Sequence, residues 1–107
     1  MEDRTREIIG AAIEVHTSIG PGLLESAYAE CLARELTVRA IPFVRQLPLT
    51  VSYKGVAVDC AYRLDFLIED TVLEIKSVAG IDPIHIAQLM TYMKLGQWKV
   101  GLLINFN

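Results

Sequence analysis

The stretch Arg63-Leu64-Asp65-Phe66-Leu67-Ile68-Glu69-Asp70-Thr71-Val72-Leu73-Glu74-Ile75-Lys76 decides how this chain is read. Apolar and charged residues alternate on both arms, which is the period of a β-strand. Glu69-Asp70 supplies a short turn between them. Pairing across that turn sets Asp65 opposite Glu74 and Arg63 opposite Lys76 on one face. Leu64, Phe66, Leu73 and Ile75 share the other face. Any even-length turn keeps this sorting, whereas an odd turn or a bulge changes it. Two carboxylates opposed on one face repel each other. A divalent cation held by hard oxygen ligands is the simplest counter-charge. The hairpin therefore points to a metal site with a lysine beside it, which is the equipment of a hydrolytic centre. The ordinary alternative for alternating charge is a solvated outer face on an antiparallel pair.

Working outward, apolar residues at helical spacing predict a helix over residues 4–18, stopped by Gly20-Pro21-Gly22. A second helix is predicted over 23–39, with Leu24, Tyr28, Cys31, Leu32 and Leu36 on its inner side. Residues 43–47 and 49–53 read as one extended arm bent at Pro48, and Lys54-Gly55 is a turn signal. Residues 56–68 and 71–78 are strand-like, rich in β-branched and aromatic side chains. Asp82-Pro83 starts a third helix, with Asp at the N-cap and Pro in the first turn, and that helix runs to Gly96. Residues 99–104 form a last apolar strand. The strand–helix–strand end requires a parallel pair joined by a right-handed crossover. The expected fold is α/β, a mixed central sheet flanked by helices, in one domain over residues 1–107. The strand next to the last helix is expected to be central, which argues against the solvated-face reading of the hairpin.

The chain is 52% hydrophobic, so disorder is not expected. No apolar run reaches the ~20 residues that span a bilayer. No basic-then-apolar leader opens the sequence, so a cytoplasmic address is the default expectation. Cys31 and Cys60 lack paired or metal-ligand spacing and read as small hydrophobes. The formal net charge of −3 argues against a strong sequence-independent grip on nucleic acid.

Three further groups of residues bear on chemistry. Glu25, Tyr28 and Leu32 share one helical face, which puts a carboxylate at the edge of an apolar stripe. A first-turn Glu favoured by the helix dipole is the plain alternative. Gln88 and Tyr92 sit one turn apart and meet on one face of the third helix. Gln88 is able to hold a water, a carboxylate or a phosphate; polar surface beside a core tyrosine is the alternative. His16 and His85 read as structural hydrogen-bonders. Ser77 has no His–Asp partner in sequence and makes no case for a nucleophile.

Gly22-Leu23-Leu24-Glu25-Ser26-Ala27-Tyr28 matches the signature of the GxxExxY protein family, which the chain resembles from its first helix to its last strand. That family is grouped with the PD-(D/E)XK nuclease superfamily. Asp65 with Glu74-Ile75-Lys76 resembles the superfamily's D…ExK core, and Gln88-Leu89-Met90-Thr91-Tyr92 resembles the QxxxY helix of its RecB-like branch. The resemblance implies a restriction-endonuclease-like core of helix, three strands, helix and strand. It implies Mg2+ or Mn2+ bound by Glu25, Asp65 and Glu74 with the Ile75 carbonyl. Lys76 would orient or deprotonate the attacking water, and Gln88, Tyr92, Tyr28 and Arg63 would position substrate. Two departures stand out. The family carries acidic residues within 78–80 and near 85–86, where this chain has Ala79 and Ile86. Relatives also continue past the position of Asn107 with a further strand, and a shortened edge would leave apolar surface for a protein partner or a second copy.

The expected function is metal-dependent hydrolysis of phosphodiester bonds in DNA or RNA. The alternative is a nuclease-fold module, weak or inactive as a catalyst, that binds nucleic acid or serves in assembly. A third reading takes the acidic hairpin as solvated surface and the resemblance as shared fold only.

Overall fold

The computed structural model describes residues 3–107, the side chains of Cys60 and Ala61 excepted. The expectation for Cys60 therefore lies outside the described residues. Two helices come first, α1 (Thr5–Ile19) and α2 (Glu25–Val38). Strands β1 (Val44–Tyr53), β2 (Val56–Ile68) and β3 (Thr71–Lys76) follow, then α3 (Pro83–Gly96) and β4 (Val100–Asn105). The sheet order is β1-β2-β3-β4, antiparallel except for the parallel β3–β4 pair that α3 connects. This is the mixed α/β arrangement that the element order predicts. β3 ends at Lys76, two residues short of the sequence expectation of residue 78.

Helices cover both faces of the sheet. Against α1 and α2 lie Phe66, Ile68, Leu73 and Ile75, with Tyr28, Leu32 and Phe106. Against α3 lie Leu64, Val72 and Leu49, with Leu89 and Tyr92. Each fully buried Leu, Ile or Phe side chain contributes about 1.5–3 kcal/mol. β3 is buried from Thr71 through Ile75, the pattern of a central strand covered on both sides. The charge alternation of the hairpin is therefore not a solvated face: Glu74 is only 5% exposed.

Gly101 lets α3 settle onto β4. A Cβ there would lie 3.1 Å from the Leu89 Cγ and closer still to the Met93 sulfur. His85 accepts a hydrogen bond at Nδ1 from the Asp82 amide (3.1 Å), which closes the first turn of α3. At the other end of the chain, Asn105 binds both the N–H and the C=O of Val78, at 3.0 and 2.9 Å. Cys31 is half-buried against the α1–α2 core and is a free thiol. Among the described residues, no helix is long and apolar enough to cross a membrane.

The register of the hairpin is the one the turn predicts, with Phe66 opposite Leu73, Leu67 opposite Val72 and Ile68 opposite Thr71. One residue departs from the predicted sorting. Leu64 shares parity with Phe66 but packs on the α3 side, with Leu47 and Val72. Its partner strand is irregular at the same level, because Gln46 adopts a left-handed backbone (φ 53°). Farther along, Leu49 pairs with Tyr62 but Thr50 with Asp59, so residues 60 and 61 form a bulge in β2. Both irregularities flank the stretch of β2 that carries Tyr62, Arg63 and Asp65.

Candidate functional site

β2 and β3 stop pairing at Phe66 and Leu73, and beyond that point side chains take over the ladder. The Asp65 amide donates to Oε2 of Glu74 at 2.8 Å, and the Ile75 amide donates to Oδ2 of Asp65 at 2.8 Å. Each carboxylate thus takes the place a backbone carbonyl would hold on the opposite strand. The crossing fixes both side chains and leaves each with one oxygen outside these two bonds.

The electrostatic consequence is large. Burial and the neighbouring Asp65 push Glu74 up to about 7, although the Asp65 amide and Lys76 pull the other way. Asp65 is raised as well, chiefly by burial, against the pull of the Ile75 amide and Lys76. Charge repulsion and lost hydration thus act together on a pair that the fold holds in place.

Glu25, Tyr62, Arg63, Asp65, Glu74 and Lys76 line one cavity of about 280 Å3 at this parting of the strands. Glu25 arrives there through the loop between α1 and α2. Gly22 turns that loop with φ 95°, a conformation that favours glycine. The Tyr28 hydroxyl donates to the Gly20 carbonyl (2.6 Å) and accepts from the Leu23 amide (3.3 Å). The Ser77 hydroxyl donates to the Leu23 carbonyl (2.8 Å), joining the loop to the residue after Lys76. Gly22, Glu25 and Tyr28 are therefore one device: a turn, a carboxylate and a latch that holds the turn. Tyr28 is fully buried and stacks on Phe106 at 4.5 Å between ring centres. Its hydroxyl is engaged by the loop, and Tyr28 is not part of the cavity lining.

The remaining candidates divide. Tyr92 is buried, with its ring tilted against Tyr62 at 4.6 Å. Burial first, then hydrogen bonding to Tyr62, then the charges of Glu74 and Asp65, hold its phenol protonated far above the ordinary range. Gln88 is half-buried on α3 and does not line the cavity. Ala79 and Ile86 are both exposed and also lie outside the lining, so the two departures from the family pattern do not touch it. His16 packs between Tyr28 and Phe106, and its Nε2 is buried without a hydrogen-bond partner. It is a packing residue rather than the hydrogen-bonder expected. A larger cavity of about 470 Å3 lies between α1 and the end of β4, but no Asp or Glu lines it.

Sequence reasoning missed Tyr62, Ser77 and Asn105. Tyr62 shares parity with Leu64 and Phe66 and so counts as core until the strand irregularities are known. Nothing in the sequence marks Ser77 as a tether. An Asn closing an apolar strand was the available signal for Asn105.

Asp65 and Glu74 fit a hard divalent cation, since each offers an oxygen and, among the described residues, neither forms a salt bridge. Glu25 lines the same cavity and its charge raises the pKa of both. Among the described residues, no three His, Cys, Asp or Glu side chains gather closely enough to hold an ion. Neither a curated protein nor a solved structure matches the chain. A profile of the PD-(D/E)XK nuclease superfamily matches residues 2–107. With an acidic pair and a lysine on adjoining strands of a mixed sheet, and that match over nearly its whole length, the chain belongs to the PD-(D/E)XK nuclease superfamily.

Proposed function

We propose that this protein is a divalent-metal-dependent phosphodiesterase that acts on DNA or RNA. The observation that carries the reading is the crossed pair of half-buried Asp65 and buried Glu74, with Lys76 at the same cavity. Asp65, Glu74 and the Ile75 carbonyl would hold Mg2+ or Mn2+, with Glu25 contributing directly or through water. Magnesium in particular takes few carboxylates and keeps several waters. When bound, such an ion supplies a water of lowered pKa and a Lewis acid for the phosphoryl oxygen.

The chain's own residues do the rest. The backbone amides of Asp65 and Ile75 keep the two carboxylates aimed. Lys76 offers a cation that orients the attacking water or faces the charge that builds on phosphorus. Tyr92, held protonated, is a hydrogen-bond donor under the site. Arg63 is exposed at the rim, where it meets phosphate. The finer grouping, the GxxExxY family within the RecB-like branch, rests on Gly22, Glu25 and Tyr28 and on Gln88 and Tyr92.

The test is cleavage of labelled DNA and RNA strands by purified protein across a Mg2+ and Mn2+ titration. Activity is expected to vanish in Asp65→Ala and Lys76→Ala. Robust metal-dependent cleavage by an Asp65→Ala/Glu74→Ala double variant would sink the proposed site. The second reading, a module that holds nucleic acid or a protein partner without cutting, is favoured by the net charge of −3 and by the lack, among the described residues, of three acidic, His or Cys side chains close enough to hold an ion. Absence of Mg2+ and Mn2+ binding by calorimetry would support it.

A further inference from the structure

Strands β1 and β2 run past the rest of the sheet as a two-stranded arm. β3 ends at Lys76, but β1 and β2 stay paired out to Tyr53 and Val56. Residues opposite each other on an antiparallel pair share a face. Val51 lies opposite Val58 and Tyr53 opposite Val56, so the four make one apolar stripe. Thr50 opposite Asp59 and Ser52 opposite Ala57 make the other, more polar face. Val51 and Tyr53 share parity with Leu49, which is buried against α3, so the stripe continues the α3 side of the sheet. Tyr53 and Val56 are each 62% exposed, with the Lys54 ammonium 5.4 Å from the centre of the Tyr53 ring. A two-stranded ribbon is marginal in water by itself and needs a surface to pack on.

Helix α3 carries a second surface of the same kind. Its inner side packs on the sheet through Leu89 and Tyr92. The outer side of a surface helix ordinarily carries charged and polar residues. Among the described residues of α3, Lys94 is the one exposed charge. Met90 is as exposed as Val56, and Ile84 and Ile86 are each more than half exposed. A helix that is apolar on both sides is one that is covered on both.

We infer that these two surfaces cover each other between two copies of this chain, the arm of each seated on the outer side of α3 of the other. A two-fold axis makes the exchange reciprocal, so one kind of contact closes both surfaces on both copies. At roughly 200 Å2 for a full side chain of this size, Tyr53, Val56, Ile84, Ile86 and Met90 expose roughly 600 Å2 per copy, close to the ~800 Å2 that each partner gives a standard interface. The charge balance also favours a second copy over a polyanion. The chain is acidic, and each surface carries a single lysine, Lys54 on the arm and Lys94 on the helix, too few for a grip on phosphates. The inference stands apart from the hydrolytic reading and holds whether or not the acidic pair turns over.

The test is sedimentation velocity on the whole protein from micromolar concentration upward. Wild type is expected to sediment at twice the mass of the chain. Val56→Lys and Met90→Glu each put a charge into the apolar contact and are each expected to leave monomers. Both positions are exposed, so far-UV circular dichroism and thermal melting of the two variants should match wild type at dilutions where it too is monomeric. The double variant Val56→Lys/Met90→Glu sets opposite charges across an arm-on-helix contact and is expected to recover the dimer. Pairing of arm with arm or helix with helix would set like charges together and leave that variant monomeric. Ser52→Lys, on the other face of the arm, is expected to keep the dimer. A wild type that stays monomeric overturns the inference and leaves the two surfaces to a different partner. A dimer indifferent to both single changes, a double variant no more associated than the singles, or a loss in Ser52→Lys as large as in Val56→Lys would overturn it too.

Discussion

Replacing Glu74 by Gln should stabilise the metal-free protein, and should do so only above a definable pH. Glu74 is 5% exposed and its pKa rises from 4.5 to about 7 on folding. A raised carboxylate pKa means that the folded state holds a proton the unfolded chain releases. Below pH 4.5 the group is protonated in both states and the penalty is absent. The penalty grows between pH 4.5 and about 7 and is complete above it. At 1.36 kcal/mol per unit, a shift of this size corresponds to about 3 kcal/mol. Gln keeps the acceptor for the Asp65 amide and removes the charge, along with its repulsion of Asp65. Urea unfolding in EDTA, followed by the fluorescence of Trp98, should show Glu74→Gln matching wild type near pH 4. The variant should be more stable by up to about 3 kcal/mol at pH 8. Added Mg2+ or Mn2+ should narrow the gap by stabilising wild type alone. An equal difference at both pH values, or a destabilised variant at pH 8, would refute the account of a buried, repelling pair.

Other expectations follow from the same geometry. Tyr28→Phe removes the bonds to Gly20 and Leu23 and should cost about 1–2 kcal/mol in denaturant titrations. By loosening the loop that carries Glu25, it should also weaken Mn2+ binding in calorimetry. Ser77→Ala leaves the core intact, so its effect should fall on metal affinity and cleavage rather than on melting temperature. Gly101→Ala forces its Cβ against Leu89 and Met93 and should lower stability by about 1–3 kcal/mol by thermal melting. Gln88→Ala should change cleavage less than Lys76→Ala does, because Gln88 lies outside the cavity lining.

The hairpin was legible because its determinants are local. A turn of even length fixes which residues oppose each other, and the observed pairing of Phe66 with Leu73 follows from it. The start of α3 was legible for the same reason, since Asp82-Pro83 acts within one helical turn. The side of the sheet that Leu64 chooses was not. It changes where the β2–β3 ladder ends at Phe66 and Leu73, and no periodicity within β2 contains that information. Tyr28 and Tyr62 fail to be read for a related reason: both are apolar-face residues by spacing. One latches a loop through its hydroxyl and the other borders a cavity.

The sequence by itself determined the order of helices and strands, and the opposition of two carboxylates with a lysine on adjoining arms. Only the tertiary structure decided that the pair is a buried site. Two facing carboxylates in water are two ordinary acids. Covered by α3 on one side and tied to the amides of Asp65 and Ile75, they lose hydration and cannot move apart. Desolvation and enforced proximity are properties of what packs around a residue. They turn a repelling pair into one that calls for a cation.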